Sequence, residues 1–121
     1  MLASFLLTLS VTAVKAQTGT YCDPSLRFCM ATSHTSGNMQ TSNTGFYATV
    51  SSGIYYSASI DAYGSSHYGF IWILYSGGDY FLESANEGSK AQNGIFNASG
   101  YQLIEIFAEA NNAQSFVSVA W

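Results

Sequence analysis

The residues with the widest chemical range gather in residues 62–75, AYGSSHYGFIWILY. There a small-residue turn, Gly64-Ser65-Ser66, precedes His67 and an apolar, aromatic run over residues 70–75. An imidazole can serve as general base, proton carrier or metal ligand near neutral pH. Gly64-Ser65-Ser66-His67-Tyr68 approaches a nucleophile elbow, but that motif requires a second glycine where Tyr68 stands, so serine hydrolase chemistry is not expected. Glu105 and Glu109 share one face of a predicted strand, roughly 13 Å apart at the usual rise, too far for the paired acids of a glycosidase. Asp61 and Glu83 meet only if their strands pair, and all four acids read as solvated surface charges. The phosphate-cradling glycine motifs and the H-E-x-x-H zinc motif do not occur. His34 lies in the polar stretch 31–44, which shows no period, and it reads as a solvated loop histidine.

Charge and cysteine usage narrow the setting. The 121 residues carry three Lys and Arg against seven Asp and Glu. Phosphate backbones are held by many cationic contacts, so nucleic acid is a poor partner, as is an anionic membrane surface. An apolar run over residues 5–11, then Val14-Lys15-Ala16 before Gln17, has the form of a secretory signal cleaved after Ala16. That run is too short to span a bilayer, which needs about 20 apolar residues, and no later segment reads as a span. The expected organisation is a signal peptide over residues 1–16 and one domain over residues 17–121. Cys22 and Cys29 are the only cysteines, and in a secreted chain they read as a disulfide closing a small N-terminal loop. Zinc is the lesser reading, because C-x6-C lacks the usual ligand spacing. Asn97-Ala98-Ser99 is a glycosylation sequon, which marks an exposed loop if used.

The elements that must position these groups are strands. Ile54, Tyr56, Ala58, Ile60 and Ala62 alternate with Tyr55, Ser57, Ser59 and Asp61, the period of a half-buried strand. Residues 46–50, 79–84 and 101–109 alternate as well. Residues 69–75 are almost wholly apolar, as in a central strand covered on both faces. A further strand begins at Phe116 and another is expected near residues 26–30, while residues 85–99 read as a long loop. Turns at this spacing predict an all-β fold, an immunoglobulin-like antiparallel β-sandwich. The chain stops at Trp121 inside a strand-like pattern, which reads as a sandwich incomplete at its C-terminus, from a truncated gene product.

Three segments carry a family resemblance. Tyr21-Cys22-Asp23 followed by Cys29, the turn and apolar run over residues 62–75, and residues 107–116 (FAEANNAQSF) resemble, in order, the fungal secreted cytochrome domain of the cellobiose dehydrogenase type, in the DOMON superfamily. The resemblance implies a secreted haem b domain for extracellular electron transfer. It places His67 where the family keeps an axial methionine, and imidazole is a competent haem ligand. Tyr68, Phe70 and Trp72 would wall the haem pocket. An extracellular flavin dehydrogenase or a copper monooxygenase would be the redox partner. The family's second ligand, a histidine nearer the C-terminus, has no counterpart here, and Ala110 and Ala113 stand where it carries a C-x-x-C pair. The alternatives are a haem-free β-sandwich that binds carbohydrate through exposed tyrosines such as Tyr55 and Tyr63, or a degenerate fragment.

Overall fold

The structure is a computed structural model that describes residues 18–121, so the expected signal peptide lies outside the described residues. Nine strands make up most of it: β1 (Gly19–Asp23), β2 (Phe28–Thr35), β3 (Gln40–Val50), β4 (Ile54–Ala62), β5 (Tyr68–Tyr75), β6 (Gly78–Ala85), β7 (Lys90–Phe96), β8 (Gly100–Asn111) and β9 (Ala113–Ala120). A single 3-10 turn covers Pro24–Leu26. All pairings are antiparallel, in two sheets ordered β1-β2-β9-β4-β7 and β3-β8-β5-β6.

The expected all-β antiparallel sandwich is the fold, and its strand order refines that expectation. β2 pairs with β9, β3 with β8, β4 with β7 and β5 with β6. Nested pairs of this kind, shared between two four-stranded layers, are jelly-roll order in place of immunoglobulin order, with β1 added at one edge.

Period-two alternation builds the core. Ile54, Ile60, Ile71, Ile73, Ile104, Ile106, Val117 and Val119 are fully enclosed between the sheets. Gly69 belongs to this inner layer because any side chain would collide: a Cβ there would lie 2.3 Å from Ile60 Cγ2 and 2.8 Å from Ser115 Oγ. At one open side, Tyr56, Tyr75 and Tyr80 pack around Phe96, and Tyr80 OH donates to Gln92 Oε1 of β7. At the other, Ser33 Oγ donates to Ala108 O and Ser42 Oγ donates to Thr32 O.

That second seam explains one departure from the sequence reading. Residues 31–44 are not a loop; they hold most of β2 and the start of β3. Their inward positions include Ser33 and Ser42, both buried, which hide the alternation because hydroxyls bonded to carbonyls replace apolar contacts. β7 likewise occupies much of the stretch expected to be a loop. On its inward side stand Gln92, exposed at the sheet edge, and Gly94, where a Cβ would lie 2.9 Å from the Tyr56 ring. β2 starts at Phe28, two residues after the strand expected near residues 26–30. β9 is paired on both sides, to β2 and β4, and Trp121 beyond it stacks on Phe46 at 5.0 Å. Cys22 and Cys29 are disulfide-bonded directly across the β1–β2 pair.

Candidate functional site

β5 is covered on one face only. Gly69, Ile71 and Ile73 are buried against the other sheet, while Tyr68, Phe70, Trp72 and Leu74 are half-buried on the outer surface. The expectation of a strand buried on both sides is therefore corrected. Alternation went unseen because both sets of residues are apolar.

The register assembles the outer face. Asn43, Phe107, Trp72 and Phe81 stand side by side across β3, β8, β5 and β6. At about 4.8 Å per strand, this row spans roughly 14 Å. On one side of it lies the row Thr41, Glu109, Phe70, Glu83; on the other, Gly45, Glu105, Leu74, Asp79. Phe70 stacks on Phe81 at 6.2 Å and meets Phe107 edge-on at 6.0 Å. The indole Nε1–H of Trp72 donates to Asp79 Oδ2 at 3.2 Å, which fixes the ring's tilt. Further along β3 and β8, Tyr47 and Tyr101 stack at 5.4 Å and are 65% and 74% exposed. Phe81 is 65% exposed.

Four carboxylates thus border an aromatic strip, and neither Arg27 nor Lys90 stands on this face. Arg27 ends the 3-10 turn, and Lys90 opens β7 in the other sheet, from which its ammonium pairs with Glu87 and donates to Glu83 O at the β6 edge. Tyr68 OH donates to Glu83 Oε2 at 3.4 Å. Burial, then the charges of Glu83 and Glu109, raise its phenol above the ordinary tyrosine range. Beside Trp72 the surface dips into a notch of about 150 Å³ lined by Asn43, Gly45, Trp72, Glu105 and Phe107.

His67 is elsewhere. It is 5% exposed and turned toward the space between the sheets at the end of β5. Its Nδ1–H donates to Gly64 O at 2.8 Å, and its Nε2 lies 2.9 Å from Ser84 Oγ, which donates to Gly88 O at 2.6 Å. The His67 backbone N–H donates to Asn86 Oδ1, and the Asn86 N–H donates back to His67 O. The side chain latches the β4–β5 turn to the β6–β7 turn.

These positions decide the fit to haem b. An axial ligand needs a ring nitrogen free to face iron, with the pocket wall on the same side. His67 Nδ1 is bonded to Gly64 O and Nε2 is closed in against Ser84 Oγ in a buried position, whereas Tyr68, Phe70 and Trp72 point to the opposite side of the sheet. The four residues do not fit haem b as one site. His34, on β2 of the other sheet, is exposed and meets Tyr63 edge-on at 5.5 Å.

The other expected residues separate as well. Tyr55, near the start of β4, and Tyr63, just past its end, are roughly 26 Å apart by strand rise and form no common surface. Asp61 and Glu83 belong to different sheets and do not pair across strands. Asn97 is exposed in the β7–β8 connection, as its sequon anticipates. The sequence reading overlooked Phe81, Phe107, Asn43 and Gly45. One signal for them was present: with Ile104, Ile106 and Ala108 inward, Tyr101, Leu103 and Phe107 must face out. No known protein family and no characterised protein matches the chain.

Proposed function

We propose that this protein is a secreted, haem-free carbohydrate-binding module whose contact surface is the outer face of the β3-β8-β5-β6 sheet. The observation that carries this reading is the row Phe107, Trp72, Phe81, open to solvent and bordered by Glu105, Asp79, Glu109 and Glu83. A sugar ring has an apolar C–H face and a rim of hydroxyl donors. The C–H face covers an aromatic ring and removes apolar area from water, while the rim donates to carboxylates. A contiguous exposed apolar patch on a small domain marks an interaction surface. The carboxylates disfavour anionic ligands, so nucleic acid and acidic glycans fit poorly. The cystine is in keeping with an oxidising compartment. Jelly rolls also carry lectin domains, which is analogy at the level of fold only.

The test is retention on immobilised polysaccharides and titration with soluble oligosaccharides. Trp72→Ala removes the central ring and should weaken binding about thirtyfold or more, as for a hot-spot aromatic. Wild-type protein that binds no glycan, or a Trp72→Ala variant that binds as well as wild type, would overturn the reading.

A further inference from the structure

The notch beside Trp72 is built more closely than a stacking platform requires. Resting on the carbohydrate reading above, we infer that it receives the N-acetyl group of an amino sugar, so that the ligand is an N-acetylhexosamine polymer. Three features fit that group. Trp72 and Phe107 give the notch apolar walls for a methyl. Glu105 supplies an acceptor for the amide N–H, and the Asn43 side-chain amide supplies a donor for the acetyl carbonyl. Neither side chain makes a hydrogen bond to another described residue, so both are available to a ligand.

The space itself depends on Gly45. Its register partner is Glu105, and a Cβ built on Gly45 would lie 3.4 Å from Glu105 Cγ. Any larger side chain there would enter the notch between Asn43 and Glu105. The backbone imposes no need for glycine at this position, because Gly45 is not among the glycines with positive φ. A valine would suit the exposed strand and fill the notch while leaving every ring of the aromatic row in place. The volume of about 150 Å³ suits one small substituent and leaves the sugar ring outside, over Trp72 and Phe81.

The experiment compares three oligosaccharide series of equal length by calorimetry: N-acetylglucosamine, glucose and glucosamine. Two added hydrogen bonds of ordinary strength predict about tenfold tighter binding for the acetylated series than for glucose. Gly45→Val should abolish that preference while keeping the weaker, platform-only binding and the melting temperature. Glu105→Gln should reduce the preference in part. Equal affinity for the glucose series overturns the acetyl assignment and leaves the carbohydrate reading intact. Tighter binding of glucosamine, lost as salt is raised, shows that the carboxylates read positive charge and also overturns it. Preference unchanged in Gly45→Val removes the notch from recognition. Binding of none of the three series, nor of any other glycan, overturns both readings together.

Discussion

The two outer faces of the sandwich are made by the same alternation and differ in what the alternation exposes. On the β1-β2-β9-β4-β7 sheet, the central rows present Asn93, Ser57 and Ser118, then Ala91, Ser59 and the half-buried Phe116. A depression there, about 450 Å³, is lined by serines, alanines, Gln92, Asn93 and Phe116, and Tyr55 and Ile95, exposed apolar side chains of this face, form one cross-strand pair at its end. On the β3-β8-β5-β6 sheet, the equivalent positions are Trp72, Phe107, Phe81 and Phe70, bordered by acids. Inward, both sheets supply isoleucine, valine and alanine. Folding therefore accounts for the inner layer of each sheet and for a wettable outer layer such as that of the first. It does not account for a contiguous row of aromatic rings on the second, where they cost solubility and invite association. This difference between the faces is what motivates the proposal that the aromatic face meets a ligand.

The largest expected effect tests whether His67 belongs to that face at all. His67→Ala deletes a buried ring and leaves Gly64 O and Ser84 Oγ short of a partner, so unfolding free energy should fall by about 2–4 kcal/mol. Because the latch joins turns serving both sheets, the two should melt together, and the folded fraction should bind glycan with wild-type affinity. Haemin added to wild-type protein should give no Soret band that depends on His67. A His67-dependent Soret band would restore the haem reading and dissolve the division between latch and site.

A smaller effect separates the two faces directly. Phe81→Ala should weaken glycan binding about tenfold through lost stacking area, whereas Tyr55→Ala, on the plain face, should leave affinity within about twofold. Equal losses from both would mean that binding is spread over the surface and that the contrast has no functional content.

The smallest effect concerns ionisation. Burial and the charges of Glu83 and Glu109 hold the Tyr68 phenol above its ordinary value of 10.0. A folded-state value raised in this way gives a contribution to stability that is present below the ordinary value and lost as pH rises through the folded one. In an absorbance titration, the signal that Tyr68→Phe removes should therefore appear later than that of free tyrosine. Glu83→Gln should bring it down. A Tyr68 signal coincident with free tyrosine would place its hydroxyl away from the acids and weaken the description of the aromatic face.

Much of the fold was legible because apolar residues alternate visibly in β4, β6 and β8. β2 and β7 were not legible, because Ser33, Ser42, Gln92 and Gly94 occupy positions that usually carry apolar side chains. Part of the site was legible too: Trp72 and Phe70 stood out by type, although they were assigned to the wall of a haem pocket. The direction in which they point was hidden, since a run of seven apolar residues has no polar marker to show which side is wet.

The sequence by itself determined the all-β class, the disulfide between Cys22 and Cys29 and the inward set of β4. Each follows from local period or residue type, which need no knowledge of neighbours. Only the tertiary structure decided that His67 is a latch and that Trp72 is a surface. Those outcomes depend on strand register: which residue of β6 faces β5 sets the partner of the imidazole, and which residues of β3 and β8 flank Trp72 sets the row. Register is a relation between distant segments, fixed by how the inner layers of both sheets fit together, and no single segment encodes it.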